Sequence, residues 1–355
     1  MPHQPTLFGR TLKELETLDT RQATSQSHAK AVEICTRELD LYGLTSRKQT
    51  FEVPTSSFWH SLFTFGLLAV GTWFAWEGLP VGSLGFMLCV LGAWWSYTHF
   101  RNQRNPMDFF IPTAPTQNVI ADFGEGQKHL ILMAHLDTPA SGFGTELLTG
   151  KWQSTHVWIA VLTPIVVLLR LYETDIQPVV TLLTLYFGIL TAISALWYNN
   201  ERTTGPFSDN ALGVATAMAV AEHLWGKWPL RVSLVLTSGC GTRALGIRAY
   251  LKTLNLQNPK DALVVHFCPL ESDGLSIVTF PKAEHPKMLI ESTEALHPLP
   301  VMAYPLRSLE TEAFSDAKIP SLTLAGLEPT EDGLTSISEC IGQLAQVWTK
   351  LDKLN

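Results

Sequence analysis

Residues 128–138 read Lys128-His129-Leu130-Ile131-Leu132-Met133-Ala134-His135-Leu136-Asp137-Thr138. The apolar run from Leu130 to Ala134, with polar residues on either side, predicts a buried strand over Lys128 to Ala134 that delivers His135 and Asp137 to its carboxyl end. Thr116 to Phe123 reads as the strand before it, across a turn containing Gly124 and Gly126. Upstream, Leu12 to Leu18 and His28 to Tyr42 have helical spacing, with Gly43 as a stop. Downstream, helices are predicted at Asp209 to Trp225, Thr242 to Leu254 and Leu334 to Leu351. Strands are predicted at Leu230 to Thr237, Ala262 to Phe267 and Pro320 to Leu324. This alternation argues an α/β layer fold with a largely buried sheet. Open α/β sheets carry their sites at strand carboxyl ends. Four such ends hold chemistry: Ala134-His135-Leu136-Asp137, Ser208-Asp209-Asn210, Thr237-Ser238-Gly239-Cys240-Gly241 and His266-Phe267-Cys268.

Two apolar blocks interrupt this pattern. Phe58 to Trp76 is uncharged and has about the 20 residues that cross a hydrocarbon core as a helix. After Glu77-Gly78-Leu79-Pro80 a second run extends through Thr98, and Trp59, Trp76, Trp94, Trp95 and Tyr97 near the run ends suit headgroup depth. The third run, His156 to Leu169 with Arg170 just beyond, is short for a span unless Trp152 and Tyr172 extend it. The fourth, Pro178 to Tyr198, is long and uncharged. The expectation is two transmembrane hairpins, 58–98 and 156–198, inserted in one discontinuous domain of 1–57, 100–151 and 199–355. The alternative keeps runs three and four as buried helices of a soluble core. Two hairpins return the chain to its starting side, where Arg47, Lys48, Arg101, Arg104, Lys151 and Arg202 flank the spans. Glu77, Glu173 and Asp175 lie in the opposite turns, with only Arg170 against, so the positive-inside bias predicts a cytoplasmic domain.

Composition agrees with lipid contact: 46% of residues are hydrophobic, 16% are charged and 11 are tryptophan. A net charge of −7 offers no basic surplus to neutralise phosphates, which excludes a nucleic-acid binder. The five cysteines, Cys35, Cys89, Cys240, Cys268 and Cys340, include no CxxC pair, so no disulfide framework is expected. Met1 to Arg10 lacks the basic start and apolar stretch of a removable signal.

Beyond these patterns, three motifs carry a family resemblance. Ala134-His135-Leu136-Asp137-Thr138, Gly205-Pro206-Phe207-Ser208-Asp209-Asn210-Ala211-Leu212-Gly213 and Thr237-Ser238-Gly239 followed by Ala244-Leu245-Gly246-Ile247 resemble metallopeptidase family 28, the zinc aminopeptidases. That family resembles glutaminyl cyclase in fold. The likeness extends to Gln49-Thr50-Phe51, Asn118-Val119-Ile120 and Ala317-Lys318-Ile319-Pro320, and so covers nearly all of the chain outside the apolar blocks. It implies a zinc-exopeptidase-like mixed sheet flanked by helices, His135 as a zinc ligand, Asp137 orienting its imidazole, and Asp209 as the bridge between two zinc ions.

The departures from the family matter equally. Where an adjacent Glu-Glu pair would supply the general base and a ligand, this chain has Cys240-Gly241. Where the next strand would end in a ligand aspartate it has Cys268, and Gly326 to Gly333 holds no final histidine. The resemblance therefore leaves at most one zinc, on His135, Asp209 and Cys268. The alternative is no metal, with His135 a hydrogen-bonded strand-end histidine and Cys268 a small buried apolar residue. His266 reads as a satisfied neighbour. Glu310 and Glu312, where relatives carry substrate-pocket residues, read as a solvated acidic face. Cys240 precedes a helix and would be a nucleophile only with a placed base. Three functions follow: a catalytically impaired binding or scaffolding domain on a membrane anchor, a mono-zinc peptidase or amide hydrolase, or a structural subunit contacting a membrane-protein partner.

Overall fold

The computed structural model divides the chain into two compact units. The first comprises Met1–Val53, Pro115–Pro139 and Thr204–Asn355, the second Pro54–Ala114 and Ala140–Thr203. The structure describes residues 6–18, 20–56, 58–77, 79–101, 105–138, 140–141, 147–148, 152–172, 175–198, 202–203, 210–227, 229–240, 244–256, 258–268, 275–279, 290–291, 293, 296, 299–303, 309–327 and 330–350. In chain order the elements are α1 (Leu7–Glu16), α2 (Gln26–Leu41), β1 (Ser46–Pro54), α3 (Trp59–Phe74), α4 (Val81–Phe100), β2 (Thr113–Phe123) and β3 (His129–His135). Next come β4 (Ala140–Ser141), α5 (Gln153–Tyr172), α6 (Gln177–Tyr198), β5 (Arg202–Thr203), α7 (Ala211–Leu224), β6 (Arg231–Thr237) and α8 (Leu245–Thr253). The chain closes with β7 (Ala262–Phe267), β8 (Ser276–Thr279), β9 (Val301–Ala303), α9 (Leu309–Asp316), β10 (Ser321–Ala325) and α10 (Glu331–Lys350).

In the first unit the strands form one mixed sheet in the order β1-β2-β6-β3-β7-β10-β8-β9. The centre is parallel, β6-β3-β7-β10, and β2 and β8 run antiparallel to their inner neighbours. All four central carboxyl ends thus reach one edge. The sequence suggested that β2 and β3 follow one another around a turn, but β6 lies between them, pairing His135 with Thr237 at the end of the β3 ladder. Side-chain parity divides the core. Leu130, Leu132 and Ala134 of β3 pack with α1, α2, α7 and α10, whereas Ile131 and Met133 pack with Ile247 and Tyr250 of α8 and Ala313 and Phe314 of α9. Because side chains alternate along a strand, every second residue of β3, β7 and β10 faces α8 and α9. Caps start the helices: Ser25 Oγ accepts from His28 N at 3.1 Å at the head of α2.

The second unit is four apolar helices around Phe65, Leu68, Cys89, Ala160, Val167, Val180 and Phe187. Helices α3 and α4 meet through small residues, where a Cβ on Gly85 would lie 2.4 Å from Gly71 O. His156 of α5 places Nδ1 2.5 Å from Tyr186 Oη of α6 and Nε2 2.6 Å from Leu147 O. The carbonyl requires the proton on Nε2, so Nδ1 accepts from the tyrosine. Among the described residues, three helices are long and apolar enough to cross a membrane: Val81–Phe100, Gln153–Tyr172 and Gln177–Leu196. The third run, short in the sequence, is thus a helix of 20 residues. It is the first run that is short, a helix of 16 residues continued by the 3-10 turn Ala75–Glu77. Neither α5 nor α6 is a buried core helix, since Trp158, Leu162, Ile165, Leu169, Leu182, Leu185 and Ile189 are exposed. Among the described residues, the exposed large hydrophobic side chains all belong to this unit except Leu41, Trp225 and Val301.

Candidate functional site

The parity that sends Ile131 and Met133 toward α8 and α9 also sends His135 there, at the carboxyl edge of the sheet. Just beyond, Leu136 N donates to Thr237 O at 2.7 Å, tying the two strand ends together. The next residues of both strands converge: a ring nitrogen of His135, a carboxylate oxygen of Asp137 and Sγ of Cys240 lie within 4.8 Å of one another. His135 Nδ1 sits 2.9 Å from the main-chain oxygen of Asp137, so in the neutral ring Nδ1 carries the proton and Nε2 keeps its lone pair. The Asp137 carboxylate points elsewhere, accepting from Cys240 N at 3.1 Å through Oδ2 and at 3.4 Å through Oδ1. Cys240 Sγ is 3.9 Å from Asp137 O. Burial pushes the Asp137 carboxyl above its usual range and nearby Glu310 adds to this, against the pull of His135 and Cys240.

Residues assigned no role in a site from the sequence hold this corner, Arg21 and His28 among them. Arg21 is fully buried under the loop, donating from Nε to Leu136 O at 3.0 Å and from a terminal nitrogen to Leu15 O at 3.2 Å. Its main chain exchanges bonds with Thr138, accepting at its carbonyl at 3.0 Å and donating to Thr138 Oγ1 at 2.7 Å. On the β6 side, Ser238 N donates to Asn118 Oδ1 at 3.0 Å and Ser238 Oγ to Gln117 O at 2.6 Å. His28 Nε2 completes the set, 2.7 Å from Ser238 Oγ. Gly239 then turns with φ of +71°, a conformation that glycine adopts freely, and directs Cys240 back toward Asp137.

A second polar group lies on the same face of the sheet. His266 follows Val264 toward α9, and its Nε2 is 3.1 Å from Glu310 Oε2 in a buried contact. Glu310 is 7% exposed, so it is not part of a solvated acidic face as its sequence context suggested. Burial pushes its carboxyl up, but the pair with His266 and the charge of His135 outweigh this and hold it below the usual range. Thr323, paired in register with His266, and Ser321 point the same way. Among the described residues, Glu310 Oε1, His266 Nδ1, Thr323 Oγ1 and Ser321 Oγ are buried without a protein hydrogen-bond partner. Ordered water or ligand groups normally satisfy such atoms.

Of the residues picked from the sequence, His135, Asp137 and Cys240 come together. Cys268, half-buried at the end of β7 with its N donating to Leu324 O at 2.9 Å, is not among those three. Asp209 and Gly241 lie outside the described residues. A buried glutamate inside a helix segment reading Leu-Glu-Thr-Glu-Ala-Phe gives no period that marks Glu310 as inward. The one available signal was its place four residues before buried Phe314, one helical turn away.

No protein-family model matches this chain, and no curated protein matches it by sequence. Solved structures do. Glutaminyl cyclase from Fimbriiglobus ruber superposes with a TM-score of 0.52 at 14% identity, covering 98% of this chain and 96% of that one. A leucine aminopeptidase precursor from Bacteroides thetaiotaomicron gives 0.51 at 10% identity over 96% and 95%. The aminopeptidase from Aneurinibacillus sp. strain AM-1 gives 0.51 at 12% over 95% and 92%. At such identities the likeness is one of fold.

Proposed function

We propose that this chain is a membrane-anchored relative of the zinc-exopeptidase fold, impaired in peptide hydrolysis, whose preserved site serves as a binding or scaffolding surface. The observation that carries this reading is the environment of Cys240. At the strand end where the resemblance expects a base, a thiol stands beside the Asp137 carboxylate, which already accepts the Cys240 N–H. Among the described residues, the other buried carboxylate on this face, Glu310, contacts His266. General acid–base assistance is typically worth about a hundredfold to ten-thousandfold, and among the described residues no uncommitted carboxylate stands at Cys240 to give it. The unpartnered polar atoms around Glu310 and Thr323 support retained ligand contact. Three apolar helices of spanning length, together with the shorter apolar α3, support a membrane anchor of two hairpins, and the basic flanks support a cytoplasmic domain.

The cluster at His135 favours a second reading. Imidazole, carboxylate and thiolate are zinc donors, and three of them within 4.8 Å fit one ion but cannot serve two. His135, Asp137 and Cys240 would hold it, or His135 with Asp209 and Cys268. A bound zinc would polarise a carbonyl and acidify water. The chain's own part is to fix the imidazole through Asp137 O and to exclude solvent. The test is turnover on amino-acid amides and N-terminal glutaminyl peptides with zinc added, comparing wild type, His135→Ala and the double variant Cys240→Glu, Gly241→Glu. We expect a silent wild type. Robust wild-type turnover abolished by His135→Ala refutes the impaired reading and establishes the mono-zinc enzyme.

A further inference from the structure

Between α4 and β2 the second unit exposes a pair of adjacent aromatic rings outside its long helices. After α4 ends at Phe100, the chain folds back along it. Asn105 Nδ2 donates to Thr98 Oγ1 at 2.7 Å, and Trp95 Nε1 donates to Asp108 Oδ1 at 3.2 Å. Thr98 and Trp95 lie about 3 and 8 Å back from the helix end at the α-helical rise. Asn105 N closes the return by donating to Asp108 Oδ2 at 3.2 Å. These bonds set the orientation of the 3-10 turn Pro106–Phe110: Asp108 faces the helices and Ile111 is buried, while Phe109 and Phe110 point outward, 89% and 61% exposed. The two rings stand edge to face, 5.8 Å apart.

We propose that this turn is an interfacial anchor, in which Phe109 and Phe110 insert at the boundary of headgroups and acyl chains beside the end of α4. The proposal rests on the reading that α4 crosses the membrane. If it does, hydrogen bonds to Trp95 and Thr98 hold the turn level with the last turns of the span, where a leaflet surface lies. Met87, Val90, Trp94 and Tyr97 of the same helix expose an apolar and aromatic flank leading to that depth, and exposed Arg101 sits at the helix end, within reach of phosphates. Two adjacent phenylalanines at these exposures in water would be a sticky patch, whereas at the interface their area is stabilising. The occupant is therefore lipid. Because Asp108 joins turn to span through Trp95, the anchor also fixes how deep the first hairpin sits.

The test uses the full-length protein in nanodiscs of phosphatidylcholine and phosphatidylglycerol, with a trifluoromethyl-phenylalanine placed singly at Phe109, Trp158 or Trp225. Fluorine linewidths are read with a doxyl-labelled lipid and, separately, with a water-soluble gadolinium chelate. We expect the Phe109 signal to broaden several-fold more with the lipid probe, as at Trp158 on α5, and Trp225 to show the reverse. Aqueous broadening at Phe109 with lipid broadening at Trp158 overturns the anchor and leaves the spans intact. Aqueous broadening at both overturns the membrane reading and the anchor with it. Protection of Phe109 from both probes means that protein covers the turn, which also refutes the proposal. The conservative aromatic replacement avoids loss of folding, and the hydrogen bonds that orient the turn do not involve the Phe109 side chain.

Discussion

Acid should loosen the corner that carries Cys240, because the histidine propping it is held neutral. Burial, with Arg21 nearby, lowers the His28 imidazole from 6.5 to about 4. Between those values the unfolded chain takes up a proton that the folded chain refuses, so stability is full above pH 6.5 and falls as pH drops through the window to about 4. With a spacing of this size the loss is about 2 kcal/mol at pH 5 and levels near 3 kcal/mol below the folded value. His129, beside Ser233, is lowered to about 4 by burial and by Arg231, and adds a loss of like size. The perturbation is His28→Gln, which keeps a group able to bond Ser238 Oγ but does not titrate. Hydrogen exchange of the β6 amides, corrected for intrinsic rates, reads the difference. Between pH 7 and pH 5 the wild type should lose about thirty-fold more protection than the variant, the equivalent of about 2 kcal/mol. Equal pH dependence in the two proteins would show that His28 is not held neutral.

Gly246→Ala should destabilise the domain by about 1–3 kcal/mol, since its new Cβ would stand 2.2 Å from Ser238 O and 2.6 Å from Asn118 Oδ1; unchanged thermal melting would contradict that packing. Glu310→Ala should cost about 1–3 kcal/mol by leaving buried His266 without its partner, whereas Glu310→Met with His266→Leu should lie near wild type, and a double variant no better than the single would argue against a buried His266–Glu310 contact. Elemental analysis after zinc loading should give at most one ion per chain, lost in His135→Ala; two ions would refute the single-site geometry. A cysteine at Leu79, exposed in the turn between α3 and α4, should react with an impermeant maleimide in intact cells, and labelling only after lysis would reverse the predicted orientation.

The central strands were legible because each is a short apolar run with a polar end, and Ala262–Phe267 has the same limits in sequence and structure. Strand order was not, since pairing depends on contacts far apart in the chain and β6 enters between β2 and β3 from beyond both apolar blocks. The site divided in the same way. His135 and Asp137 announce themselves in one strand end, and Cys240 in another. That Asp137 holds His135 by its main chain rather than its carboxylate is a matter of backbone direction that no residue type encodes. The inward face of Glu310 went unread because helix α9 spans only 8 residues, too few for an apolar stripe to declare a side.

The sheet order also dictates a schedule for synthesis. Strand β3 bonds only to β6 and β7, and both follow the helices α5 and α6 in the chain. A ribosome that has delivered residues 129–135 has therefore made a strand of fully buried residues, Leu130 to Ala134, with neither neighbour yet in existence. Roughly a hundred residues must emerge, among them two long apolar helices, before the first partner arrives; at about 5–20 residues per second that is several seconds of open edge. A nascent chain of this protein is thus most exposed to misassembly while its second apolar block is being made, and conditions that slow the synthesis of α5 and α6 should appear first as aggregation of the unit that carries the sheet.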